Sequence, residues 1–248
     1  MVKICVPIHI SGVWMPVLTD DPLTSGSIGL GLVVSPEIVA EVERGNGVVF
    51  NGTPISLPNV EFLSERLGKY SISISSKVPL GFGYGISAAI SLAYSVGAAE
   101  HSSLSEKEAV KWAHVSEVLS GNGLGDVIAE YLGGGITYRK KPGAPFIGEV
   151  EQIEAEWESV YSLPLERMPT IKIVREASKV DPRGLIAEFQ SHRSLTKFFE
   201  VSKNFNEAIG FKSELPDSFR KKGIVVSMAK RGPGWIEHRS TQGGARLC

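Results

Sequence analysis

The segment YSISIS (70–75) alternates polar and apolar positions with the period of two that marks a half-buried strand. The apolar, Ala-rich run that ends at Glu100 predicts a helix buried on most sides. Between them lies KVPLGFGYGISAAI (77–90), with glycines at 81, 83 and 85. Elsewhere the pattern predicts a short strand from Val2 to Pro7, a loop of small and acidic residues from His9 to Gly31, and a strand from Leu32 to Glu43. Asn51-Gly52 inside 48–55 is a hairpin signal, and Phe62 to Leu67 fits a short helix. Ser105 and Glu108 form a capping box for a helix reaching about Leu119, with Ala109, Val110, Ala113 and Val115 on its apolar side.

A second glycine cluster, GNGLGD (121–126), leads into a helical turn at 127–131 and a strand through GGGITYR (133–139). The stretch KKPGAPFIG (140–148) reads as a linker. Beyond it, 150–161 and 170–174 look strand-like, 185–201 and 205–209 helical, and 223–228 and 235–238 strand-like. This succession predicts an α+β protein of two lobes, residues 1–145 and 146–248, with a cleft between them.

Strand, glycines at alternate positions, then a helix start bearing a hydroxyl make a cradle for phosphate. Glycine lets backbone N–H groups approach an anion, and the helix start adds free donors and partial positive charge. No Gly-Lys-Ser/Thr tripeptide exists, so the loop is not a Walker motif. The spacing G-x-G-x-G also departs from the dinucleotide fingerprint G-x-G-x-x-G. Composition narrows the partners. A net charge of −1 supplies no basic field for nucleic acid, and no apolar run reaches membrane-spanning length. Two cysteines, Cys5 and Cys248, do not make a disulfide framework, which points to a reducing cytoplasm.

A phosphoryl-transfer site needs a phosphate cradle, Mg²⁺ ligands, a group for the attacking hydroxyl and a handle for the substrate. Ser87 and Glu117 offer a hydroxyl and a carboxylate for Mg²⁺, which favours oxygen ligands. Asp126 is the candidate for the substrate hydroxyl. His114 shares a helix face with Glu117, Arg139 has a fork for an anionic group, and His9 is a further polar candidate. Singly, each has a plainer reading: Glu117 a solvated helix residue, His114 a packed or surface histidine, Asp126 and Ser87 helix caps, Arg139 part of an exposed basic turn with Lys140 and Lys141. Their order along the chain is what joins them.

The glycine segment resembles P-x-G-x-G-L-G-S-S-A-A, the second motif of the GHMP kinases, with Pro79, Gly81, Gly83, Gly85, Ser87, Ala88 and Ala89 in register. Tyr84 stands for the usual Leu and Ile86 for the first Ser. With PIHISG (7–12), DPLTSGSIGLG (21–31), AHVSE (113–117), GLGDV (123–127) and PGAP (142–145), the chain is similar to the archaeal pantoate kinase family of that superfamily. The resemblance implies a ribosomal-protein-like N-terminal lobe and a ferredoxin-like C-terminal lobe. It implies ATP-dependent phosphorylation of the 4-hydroxyl of pantoate, in coenzyme A biosynthesis, with ATP and Mg²⁺. Pro79, Gly81, Gly83, Tyr84, Gly85, Ser87 and Ala88 would hold the nucleotide, and Ser87 and Glu117 the metal. Asp126 would be catalytic, and Ser27, His114, Arg139 and His9 would line the pantoate site. A homodimer is a further expectation of the resemblance alone. The glycine-rich third motif has only a poor match, KRGPG at 230–234. A kinase for homoserine, mevalonate or a sugar, and a non-catalytic nucleotide- or metabolite-binding relative, stay open.

Overall fold

The computed structural model describes residues 1–155, 157–241 and 243–248. Two long strands, β1 (Val2–Val17) and β2 (Gly26–Arg44), pair antiparallel and form the spine of the larger sheet. One end of β2 pairs with β5 (Tyr70–Ser75) and the other with β6 (Gly135–Lys141). The hairpin of β3 (Val48–Phe50) and β4 (Thr53–Ile55) joins the free edge of β5, and β7 (Glu149–Ile153) joins that of β6. A smaller antiparallel sheet runs in the order β11 (Ile236–His238), β8 (Val160–Pro164), β10 (Ile224–Ser227), β9 (Ser218–Lys221). Helices α1 (Pro58–Leu67), α2 (Ile86–Glu100), α3 (Glu106–Leu119) and α4 (Asp126–Leu132) belong to the first part of the chain. Helices α5 (Thr170–Ala177), α6 (Arg183–Ser191) and α7 (Leu195–Ala208) belong to the second. The result is the expected α+β class.

β1 is much longer than the six-residue strand predicted, and the loop expected over 9–31 shrinks to the turn between β1 and β2. Pro7 falls where the register shifts between Val6 and Ile8, a bulge at which its missing N–H costs the ladder little. Burial drives the extension. Ile4, Val6, Ile8, Ile10 and Val13 are fully buried, between α2 and α7, which both pack on the strand. Five such side chains contribute roughly 1.5–3 kcal/mol each, against roughly 1 kcal/mol for one lost hydrogen bond.

In α2 every residue except Ser87 and Glu100 is buried, as its apolar composition requires. Ser105 caps α3 as predicted, its hydroxyl accepting from the Glu108 N–H. Other expectations are corrected. Residues 170–174 belong to helix α5, not a strand. Ile173 and Ala177, four apart, are its buried side, and a short apolar run does not distinguish the two periods. The single strand-like run 150–161 divides into β7 and β8, which lie in different sheets; residue 156 lies outside the described residues. The helical run 185–201 breaks at Ser194, which caps α7, and α7 continues through 205–208. Residues 142–148 form a turn between adjacent strands of one sheet, with the Ala144 N–H bonded to the Leu23 carbonyl. Strands β9 and β12 (Arg246–Leu247) had no signal in the pattern. Cys5 and Cys248 are joined as a disulfide, contrary to the expectation from their number. β12 pairs with β1 and brings the two sulfurs together across 243 residues of sequence. Among the described residues no helix is long and apolar enough to cross a membrane.

Candidate active site

A cavity of about 430 Å³ opens between the glycine segment, the 121–126 turn, β1, α5, α7 and the turn after β9. Gly81, Gly83 and Gly85 all adopt positive φ (91°, 120° and 74°), which a side chain would strain. Donors from the second part of the chain hold the loop's carbonyls. Met168 N–H bonds Gly81, Gly223 N–H bonds Phe82, and Lys221 Nζ bonds Gly83 at 2.8 Å. Among the described residues no N–H of 81–88 donates a hydrogen bond. The outcome is a row of free amides at the start of α2, the arrangement that takes an anion.

Tyr84, one of the two residues that depart from the motif, is 1% exposed. Its hydroxyl meets Ser162 Oγ at 2.7 Å, Ser162 Oγ meets His238 Nε2 at 2.6 Å, and His238 Nδ1 meets the Ser35 carbonyl at 2.7 Å. A carbonyl only accepts, so His238 carries its proton on Nδ1 and its Nε2 accepts from Ser162, which in turn accepts from Tyr84. Burial lowers the His238 pKa to about 4, which agrees with a neutral ring. This relay ties the glycine loop to the smaller sheet. Pro79 and Ala88 do not line the cavity; Pro79 is half-buried ahead of the loop and Ala88 fully buried beneath it.

Ser87, the one residue of the first turn of α2 left unburied, bonds Glu117 Oε1 at 2.9 Å and accepts from Asn122 Nδ2 at 3.0 Å. Ser91 also donates to Glu117 Oε1, at 2.9 Å. Glu117 is therefore a buried residue facing the cavity, not a solvated one. Burial, with the Asp126 charge adding to it against the serine hydrogen bonds, raises its pKa to about 7. A Cβ on Gly123 would come within 2.7 Å of Asp126 Oδ2 and 3.6 Å of Glu117 Oε2, so glycine keeps the space between the two carboxylates open. Oxygen donors of this kind fit a hard divalent cation. No cluster of three or more His, Cys, Asp or Glu suited to a metal occurs among the described residues.

Asp126 opens α4 but does not cap it; Gly125 holds that position. Its Oδ1 lies 2.6 Å from His9 Nδ1, and His9 Nε2 lies 3.0 Å from Arg139 Nη1. Arg139 Nε donates to Ser27 Oγ at 3.2 Å. Arginine has no acceptor, so His9 Nε2 is unprotonated and the imidazole proton sits on Nδ1, aimed at Asp126. His9 is thus neutral, its pKa lowered to about 4 chiefly by burial. Burial alone would raise the Asp126 carboxyl, but the His9 hydrogen bond and the nearby Lys221 and Arg139 charges outweigh it and hold it well below the usual carboxylate range. With 21% of its side chain exposed, Asp126 reaches the cavity through Oδ2, while His9 and Arg139 are buried behind it.

His9 lies in β1, not in a loop, and Arg139 lies within β6, not in an exposed turn. Gly31 and Gly125 make the room, since a Cβ at either would overlap His9 Nε2 or Ser27 Oγ. Ser27 lines the cavity. His114 does not: it shares the buried side of α3 with Glu117 but donates from Nε2 to the Ser25 carbonyl at 2.9 Å. Four residues that the sequence reading passed over belong here. Lys221, the last residue of β9, and Lys222, in the turn after it, both line the cavity, and burial lowers both pKa values, that of Lys221 to about 8. Glu130 is fully buried with neither carboxylate oxygen paired, and burial raises its pKa well above the ordinary value. Its signal was the spacing of four from Asp126 on one helix. Asn206 enters from α7. The KRGPG segment at 230–234 is not among the residues that line the cavity.

Comparison with known proteins bears on this site. Residues 57–134, which span the glycine loop, Glu117 and Asp126, match the family described as GHMP kinases N terminal domain. The pantoate kinase of Thermococcus kodakarensis is 30% identical over 94% of this chain and 86% of that protein. The pantoate kinase of Methanospirillum hungatei is 32% identical over 92% of this chain and 84% of that protein. Among solved structures, one described as a phosphotransferase related to the CoA biosynthesis pathway superposes with a TM-score of 0.84, at 24% identity, over 100% of this chain and 99% of that one. The chain belongs to the pantoate kinase family of the GHMP kinases.

Proposed function

We propose that the protein transfers the γ-phosphoryl group of ATP to the 4-hydroxyl of pantoate, giving 4-phosphopantoate and ADP. The observation that carries this reading is the juxtaposition, across one cavity, of the free amides of 81–88 and an ionised Asp126 aligned by a neutral His9. The amides and Lys221 receive the phosphates. Ser87 and Glu117 would hold Mg²⁺, which when bound supplies charge neutralisation at the phosphate oxygens. A carboxylate as acidic as Asp126 is a poor early base. It orients the attacking hydroxyl and takes its proton late, as suits the loose transition state of phosphoryl transfer. Ser27, with the Arg139 charge behind it, faces the carboxylate of the acceptor. His114 acts one step back, by holding the Ser25 carbonyl and the turn that leads to Ser27.

An ADP-release assay over pantoate, homoserine, mevalonate and a hexose, with mass-spectrometric identification of the product, tests the reading. Turnover of pantoate above the others is the expected result; ATP binding without ADP release from any of them rejects it. In the same assay Asp126→Asn should lose about 10²–10⁴-fold in kcat while keeping nucleotide affinity.

A further inference from the structure

Asn206 is 1% exposed, yet it lines the cavity beside Ser11 and Trp14 of β1. Its amide nitrogen donates to two backbone carbonyls, those of Gly12 and Ser202, each at 2.8 Å. Both are acceptors only, so the amide orientation is fixed, with nitrogen toward β1 and α7 and Oδ1 turned away from them. Oδ1 has no partner among the described residues and is not among the atoms sealed from solvent, so it is the part of Asn206 that reaches the cavity. The anchor is tight, since a Cβ on Gly12 would overlap Ser202 and Phe198 of α7. The site therefore presents a rigid hydrogen-bond acceptor that cannot turn itself into a donor. Only a ligand that brings a hydrogen satisfies it.

Pantoate carries two hydroxyls: the one at C4, and a second at C2 beside the carboxylate. Resting on the acceptor proposed above, we propose that Asn206 is a specificity-determining residue that accepts a hydrogen bond from the C2 hydroxyl. The 2-oxo analogue places a carbonyl oxygen against Oδ1, acceptor on acceptor, and leaves both without that hydrogen bond. The 2-deoxy analogue, 4-hydroxy-3,3-dimethylbutanoate, leaves Oδ1 unpaired without the repulsion.

Steady-state kinetics of the intact protein with pantoate and these two analogues test the inference, and the comparison on the unmodified protein needs no variant to fold. The expected kcat/KM for the 2-deoxy analogue is about 10- to 100-fold below that for pantoate, with the 2-oxo analogue lower still, the scale of one acceptor left unpaired. Asn206→Leu should lose more kcat/KM on pantoate than on the 2-deoxy analogue, and so level the three substrates. Equal kcat/KM for pantoate and its 2-deoxy analogue in the unmodified protein overturns the role of Asn206 while leaving the pantoate reading intact. So does a uniform loss on all three substrates in Asn206→Leu. Absence of turnover with all three rejects both.

Discussion

His9, His114 and His238 are each buried and each held neutral, and their pH behaviour belongs to the residue scale. Their pKa values in the native protein lie below the ordinary 6.5, near 4 for His9 and His238. Between these limits the unfolded chain binds the protons that the native protein refuses, so stability rises with pH through this window and is lost as pH falls from 6.5 toward 4. Urea unfolding at a series of pH values should show proton uptake on unfolding in that range, and His238→Asn should reduce the slope. A flat profile from pH 6.5 to 5 would contradict the neutral rings. That Ser87, Glu117 and Asp126 would meet at one cavity was legible from their order along the chain, not from any one of them. The relay behind Asp126 was not, because His9, Arg139 and Ser27 come from three strands whose register no local pattern reveals.

The glycine loop shows why an element need not be held by its own neighbours. Its carbonyls are bound by Met168, Lys221 and Gly223, and Tyr84 anchors it to Ser162 of β8. Tyr84→Phe removes one buried hydrogen bond, which costs about 1–2 kcal/mol. It should raise the KM for ATP more than it lowers kcat, as read from denaturation and initial-rate data; unchanged stability and KM would separate the loop from the relay. Lys221→Met removes both a loop contact and a cavity charge, so nucleotide affinity should fall, measurable by calorimetry with ATP. At this scale the pattern gave the strand, loop and helix of 70–100 correctly, because burial follows the period locally. It misread 170–174, where cavity-lining Val174 and buried Ile173 make an apolar run that answers to tertiary contacts.

Across the whole molecule, the Cys5–Cys248 bond and β12 tie the two extremes of the chain onto β1, the strand that also carries His9. A crosslink spanning 243 residues removes loop-closure entropy worth up to about 5 kcal/mol from the unfolded chain. Reduction with dithiothreitol, or Cys5→Ser, should lower Tm by several degrees while leaving substrate selectivity unchanged. Two titratable thiols in the native protein, or a Tm indifferent to reductant, would dismiss the crosslink.

The order of chemical groups along the chain was a property of the sequence: a glycine loop, a carboxylate helix, a glycine turn with Asp126 and a strand with Arg139. Spacing and residue type are local, and they suffice to write the list. Which oxygen is free, which histidine nitrogen carries the proton and which amide end of Asn206 faces the cavity were decided only when β1, β6, α4 and α7 packed together. Hydrogen-bond direction is a relation between groups distant in the chain, and no single segment contains it.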